Sequence, residues 1–326
     1  MKHIKITLAS FAVLVVLTSI SACAVLKPIG TMTLLEVPAR PVPKNDSVTT
    51  VSISAIITGW VEAPAYILMD QKDERTPETL RKPQWVPSVA YIVKHPTRGS
   101  VVMDFGLTSG DCSYGLKPIY WVPCRNEGYN NLASYLKANP DILDSITYLI
   151  PSHLHGDHIS GLSDVLALTS APLLVTDASI GEMKSKTRAF AGIPSHMLQT
   201  DMNVISMNDS FTPDPLLNRI FDVFGDGSLK IFETAGHSDG HISALAKTET
   251  DSIILAFDAA HVRENYELQI PSGAVSSKEK ARDSLKLLRR MDAQLDDVQI
   301  VFGHDPNQWR CKKSVVQLNG LQANQC

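Results

Sequence analysis

The sequence predicts a layered α/β fold, on three observations. Short β-branched, apolar runs alternate with stretches of helical spacing. Several of those runs end directly in histidine or aspartate, and the carboxyl edge of a sheet is where layered α/β folds carry their sites. A chain of 326 residues with 44% hydrophobic content can also bury one large core, which rules out disorder as the default.

The formal net charge of -4, without a basic cluster, leaves no electrostatic footprint for nucleic acid. A small-molecule substrate is the expected partner. At the N-terminus Lys2 and Lys5 precede an apolar run from Ile6 to Ile20 that ends in Ser21, Ala22 and Cys23. That is the pattern of a signal peptide over residues 1–22. Ile20-Ser21-Ala22-Cys23 is also similar to a bacterial lipoprotein processing site, which would make Cys23 the lipid-bearing residue. The alternatives are ordinary cleavage at Ala22 and an uncleaved anchor. The expected address is therefore export, with lipid attachment in the bacterial cell envelope. Residues 23–47, with Pro28, Pro38, Pro41 and Pro43, suit an extended tether, and residues 48–326 one folded domain.

Val48 to Thr58 alternates as a half-buried strand, and Trp60 to Pro87 is expected to be a loop or lid, with Trp85 a core plug or a substrate wall. Two strands follow, Ser88 to Lys94 and Ser100 to Phe105, joined by a turn at Pro96 to Gly99. Asp104 closes the second, where it would either orient a metal ligand or cap a turn. Tyr129 to Ala138 has helical spacing, and Ser145 to Ile150 is a strand. Ile159 to Leu168 and Ala178 to Phe190 are expected helices around a strand at Pro172 to Thr176. Ala191 to Asn218 lacks a period and is expected to be a long active-site loop. Asp226-Gly227 between two apolar runs signals a hairpin. Ser252 to Phe257 and Val298 to Phe302 are core strands, with an amphipathic helix, Lys278 to Met291, between them. Of the cysteines beyond Cys23, local pairing of Cys112 with Cys124 and of Cys311 with Cys326 is the simplest expectation in an oxidising compartment.

The chemistry concentrates after Ile150, in His153-Leu154-His155-Gly156-Asp157-His158. In extended chain, side chains at i and i+2 share a face, so His153 and His155 can grip one ion while Asp157 and His158 reach another. A polar, histidine-rich surface loop is the bland alternative. Against it, His237, Asp258 and His304 each follow a strand, and seven of the ten histidines, counting His241 and His261, fall in these few segments. Five imidazoles and two carboxylates make up the donor set for two divalent ions, zinc being the expected metal.

These motifs resemble the metallo-β-lactamase superfamily, from about Val89 to His304. The resemblance implies an αβ/βα sandwich, two mixed sheets face to face with helices outside. It also implies that His153, His155 and His237 hold one ion, that Asp157, His158 and His304 hold the other, and that Asp258 bridges them. The bridging aspartate argues against true β-lactamases, and with 22 residues after His304 the glyoxalase II-like thioesterases, which carry a C-terminal glutathione-binding domain, are not the expected branch. The block Phe257 to Tyr266 and the ending Phe302-Gly303-His304-Asp305 look most like N-acyl-homoserine lactonases, with secreted organophosphate or aryl-ester hydrolases as the alternative. A non-catalytic lipoprotein braced by metals is a third reading. For a lactonase the resemblance implies attack on the ester carbonyl by a hydroxide shared between the ions. Asp258 would move the proton to the leaving oxygen. Such lactonases carry a tyrosine three residues after the bridge, and here His261 takes its place, as a hydrogen-bond donor or a packing residue. His241 is expected to be structural, and His95 and His196 have no assigned role. A homodimer is compatible with the family, although no stretch argues for an interface.

Overall fold

The computed structural model describes residues 28–38, 49–110, 112–116, 120–129, 131–309 and 314–318. Segment 1–22, Cys23, Cys311 and Cys326 lie outside these. Among the described residues, two sheets stack face to face. The larger has nine strands, in the order Met32–Leu35, Met202–Ser206, Leu173–Val175, Ile146–Ile150, Gly99–Met103, Gln84–His95, Ser52–Ala63 and Val315–Gln317, with Cys124–Arg125 also paired to Ser52–Ala63. The six-stranded sheet runs Thr212–Asp214, Asn218–Asp222, Leu229–Glu233, Ile242–Lys247, Ser252–Phe257 and Val298–Phe302. Both mix parallel and antiparallel pairs.

Strand alternation builds three apolar layers. In Ser252–Phe257, Ile253, Leu255 and Phe257 face the core between the sheets, whereas Ile254 and Ala256 face an outer cluster. Helix Lys278–Gln294 closes that cluster with Leu285, Leu288 and Met291, spaced for one face. Ser277 caps it by accepting from the Lys280 N–H. Across the sandwich, Val89, Tyr91 and Val93 of Gln84–His95 point to the middle layer, and Ala90 and Ile92 to the helices beyond. Full burial of one such side chain contributes roughly 1.5–3 kcal/mol. The αβ/βα sandwich is therefore a consequence of two-sided strands, and the predicted fold class holds.

Several expectations are corrected. Residues 23–47 are not all tether, because Met32–Leu35 adds a parallel edge strand beside Met202–Ser206. An open sheet edge offers unpaired main-chain groups, and Pro28 and Pro38 flank that strand without interrupting it. Trp60 to Pro87 is no single loop, since Ser52–Ala63 runs on through Trp60 and Gln84–His95 begins before Trp85. Trp85 is half-buried beneath the Arg125 guanidinium, 3.7 Å from its ring centre, so it is neither core plug nor wall of the metal pocket. Ala191 to Asn218 holds the strands Met202–Ser206 and Thr212–Asp214. The helix expected over Ile159 to Leu168 is two short pieces, Gly156–Ile159 and Leu162–Leu166, with the Gly161 N–H between them bonded to the Gly106 carbonyl. The hairpin at Asp226-Gly227 and the Cys112–Cys124 disulfide are both present.

Candidate metal centre

Strand ends from both sheets deliver the seven predicted ligands to one place. His153 and His155 leave Ile146–Ile150, and Asp157 and His158 sit on the turn Gly156–Ile159. His237 follows Leu229–Glu233, Asp258 follows Ser252–Phe257, and His304 follows Val298–Phe302. Gly303 lets the last two meet, because a Cβ there would lie 2.5 Å from Asp258 Oδ1. Phe257, at φ 46, holds a strained turn that aims Asp258 inward.

Two donor clusters result, His153 with His155, His237 and Asp258, and Asp157 with His158 and His304. In the first, His153 Nε2 lies 2.9 Å from His155 Nδ1 and 3.2 Å from His237 Nε2. His155 Nδ1 and His237 Nε2 are 2.7 Å apart. In the second, His304 Nε2 is 3.3 Å from both His158 Nε2 and Asp157 Oδ2. Asp258 spans them, with Oδ2 3.2 Å from His237 Nε2 and Oδ1 3.2 Å from His304 Nε2.

The outward ring nitrogens are tied down. His158 Nδ1 meets Asp104 Oδ2 at 2.7 Å, and His304 Nδ1 donates to the Pro87 carbonyl at 2.8 Å. Asp104 also accepts from the Ser152 N–H and hydroxyl, and that hydroxyl is 3.0 Å from His153 Nδ1. With their outer nitrogens protonated, these rings turn Nε2 lone pairs toward one another, an arrangement that either added protons or a shared metal ion relieves. Asp258 Oδ1, which lacks a hydrogen-bond donor though fully buried, fits the same demand. The residues present thus suit two ions.

Electrostatics separates the clusters. Burial, reinforced by neighbouring imidazoles, holds His153 and His237 well below the ordinary histidine range. Burial also opposes charge on His158, but Asp258, Asp104 and Asp157 together outweigh it and push this histidine well above that range. His304 is raised too, burial being overcome chiefly by Asp258. Asp258 lies well below the usual carboxylate range because His304, His261, His158 and His237 outweigh its burial.

The clusters open into a cavity of about 580 Å³ with an apolar wall that includes Val61, Val86, Leu154, Phe190 and Ile193. Both segments expected to bear on the substrate reach the cavity, Trp60 to Pro87 through Val61, Ala63, Tyr66, Ile67 and Val86, and Ala191 to Asn218 only through its beginning, Ala191 to Ile193. A larger cleft of about 690 Å³, beside Trp60, Trp85 and Arg125, contains none of the seven ligands. His261 is 1% exposed, its Nε2 3.2 Å from Asp258 Oδ2 and its ring 4.8 Å from that of His237 and 5.6 Å from that of His304, and it is not among the residues lining the cavity. His241 is structural in its contacts. It accepts from the Asp258 N–H and pairs with the Thr234 hydroxyl, and burial lowers its pKa to about 3.

Sequence reasoning passed over two groups. Tyr114, on the hairpin strand Tyr114–Leu116, donates to Asp157 Oδ1 at 2.8 Å, and only distant spacing linked the two in the sequence. His95 forms a buried pair with Asp226 at 2.8 Å, far from the metal clusters in sequence and role.

Comparison with known proteins agrees with this geometry. The sequence profile of the Metallo-beta-lactamase superfamily matches residues 83–304. The N-acyl homoserine lactonase AttM of Agrobacterium fabrum (strain C58) is 26% identical over 232 residues, 69% of this chain and 84% of that protein. Among solved structures, a mutant of B. thuringiensis AiiA with N-decanoyl-L-homoserine bound at its active site aligns with TM-score 0.62 at 22% identity, covering 82% of this chain and 98% of the other. AidC, a dizinc quorum-quenching lactonase, aligns with TM-score 0.53 at 14% identity, covering 80% of this chain and 89% of its own. Likenesses at these identities speak for the fold.

Proposed function

Because this chain belongs to the metallo-beta-lactamase superfamily, we propose that it is a metal-dependent hydrolase opening the ester of a lactone, an N-acyl-homoserine lactone being the favoured substrate. The carrying observation is Asp258, whose two oxygens face different donor clusters at the floor of a largely apolar cavity. His153, His155 and His237 would hold one ion, Asp157, His158 and His304 the other, and Asp258 both. Zinc is the proposed metal for this histidine and carboxylate set. Two ions so held supply a water acidified to a pKa of about 7 and a Lewis acid for a carbonyl oxygen.

The chain's own residues do the rest. Asp104 and the Pro87 carbonyl hold His158 and His304 in the tautomer that faces inward. Val61, Val86 and Ile193 exclude water from one side of the cavity and suit an acyl chain. Asp258, buried and adjacent to both clusters, is placed to carry a proton from the attacking water to the departing alkoxide oxygen. His261 acts through Asp258, since it contacts that carboxylate and does not reach the cavity. Export and lipid attachment at Cys23 complete the proposal, and a Cys23→Ala variant that no longer incorporates labelled palmitate would support the anchor.

Proton release from acyl-homoserine lactones of several chain lengths, set against hydrolysis of an aryl phosphotriester, tests the substrate class. Lactone turnover exceeding phosphotriester turnover supports the proposal, and the reverse order assigns the chain to the organophosphate branch.

A further inference from the structure

The geometry points to Tyr114 as a positioning residue for the second metal cluster: its phenol fixes the Asp157 carboxylate so that one chosen oxygen faces the ion. The inference rests on the two-ion reading above. Tyr114 Oη donates to Asp157 Oδ1 at 2.8 Å, and the other oxygen, Oδ2, is the one 3.3 Å from His304 Nε2. A carboxylate with both oxygens free rotates about its last torsion and can offer either oxygen or both. Occupying Oδ1 with a hydroxyl proton leaves Oδ2 as the available donor and removes that freedom. The Asp157 main chain is held as well, its carbonyl accepting from the Ser88 hydroxyl at 2.7 Å.

Three features hold the phenol there. Tyr114 pairs with Val122 across an antiparallel hairpin, and the Cys112–Cys124 disulfide closes that hairpin two residues beyond the pair on each strand. The ring lies against Gly156, where a Cβ would come within 2.5 Å of it, so the glycine between His155 and Asp157 provides the ring's place. Tyr114 is 7% exposed and nonetheless lines the cavity, so its hydroxyl is kept from bulk water and its hydrogen bond is not exchanged for one to solvent. A short hairpin far from the metal-binding segment in sequence thereby completes the surroundings of that segment.

The test uses the full chain stripped of metal and titrated with zinc against a chromophoric chelator, for the wild type, Tyr114→Phe and Gly156→Ala. Tyr114→Phe keeps the ring and removes only the hydroxyl. The second ion is expected to bind about 10-fold more weakly, as loss of such an outer partner does elsewhere, with the first ion unchanged. Gly156→Ala, which displaces the ring, is expected to weaken the same ion. Unchanged affinity for both ions in Tyr114→Phe, or an equal loss of both, overturns the assignment. Lactone hydrolysis by the wild type is scored separately, so an inert protein would count against the substrate reading and leave the zinc comparison to judge Tyr114.

Discussion

Asp258 is the residue on which the proposed chemistry turns, because its oxygens are divided between two sets of imidazoles. Asp258→Asn replaces one oxygen with a donor that cannot ligate, and His304→Ala removes a ring from the second cluster. Either change is expected to lower turnover by at least about 100-fold, ligands counting for no less than their outer partners. Near-normal rates with unchanged metal content would contradict that. Asp104 acts one step outward. Asp104→Ala frees His158 Nδ1 and the Ser152 hydroxyl, and zinc affinity is expected to fall about 10–100-fold, read by chelator competition. All seven proposed ligands were legible in the sequence because each follows a strand, and a strand's end fixes where the next side chain goes. Tyr114 was not, since a phenol in a short hairpin carries no signal until folding brings it to Asp157. The place of His261, beside a ligand in sequence, suggested the cavity, and the fold packs it against Asp258, His237 and His304.

The elements that carry the site differ in how tightly they hold protons. His158 and His304 keep theirs to higher pH than an ordinary histidine, and His153 and His237 release theirs lower. Metal must displace those protons. As pH falls, the cluster of Asp157, His158 and His304 is therefore expected to empty first, and the cluster of His153, His155 and His237 at lower pH. Bound metal per chain, followed from neutral to acid, should fall in two steps, whereas loss of both ions in one step would contradict the order. Away from the site, His95 on Gln84–His95 pairs with Asp226 at the hairpin tip, both side chains nearly inaccessible. Burial opposes the Asp226 charge, but hydrogen bonds from Ser228 and His95 hold its pKa at about 2. Because that value is depressed, its contribution is present above the ordinary 3.8 and is lost as pH falls toward 2. His95→Ala removes one hydrogen-bond partner of a buried carboxylate that keeps its Ser228 donors, and should cost about 1–3 kcal/mol in thermal unfolding. The sequence showed the hairpin at Asp226-Gly227, because turn chemistry is local, but not its partner 131 residues away.

At the scale of the whole molecule, the sandwich places the ends of parallel and antiparallel strands from two sheets at one cavity. Neither sheet holds a complete donor set, because His153, His155, Asp157 and His158 come from one and His237, Asp258 and His304 from the other. Fold and site are thus one problem, and the layer order was legible from strand alternation combined with the family resemblance. The edge strand Met32–Leu35 was not, since prolines on both sides resemble a linker and only the open edge at Met202–Ser206 gives it a partner. The central claim is that paired ions at these clusters drive lactone opening. Metal-stripped protein, reloaded stepwise with zinc while bound metal and lactone hydrolysis are followed together, tests it most directly. Hydrolysis should rise as occupancy approaches two ions per chain and vanish again with chelator. A chain carrying two ions yet inert toward lactones, or one that hydrolyses them fully when stripped, would contradict the account.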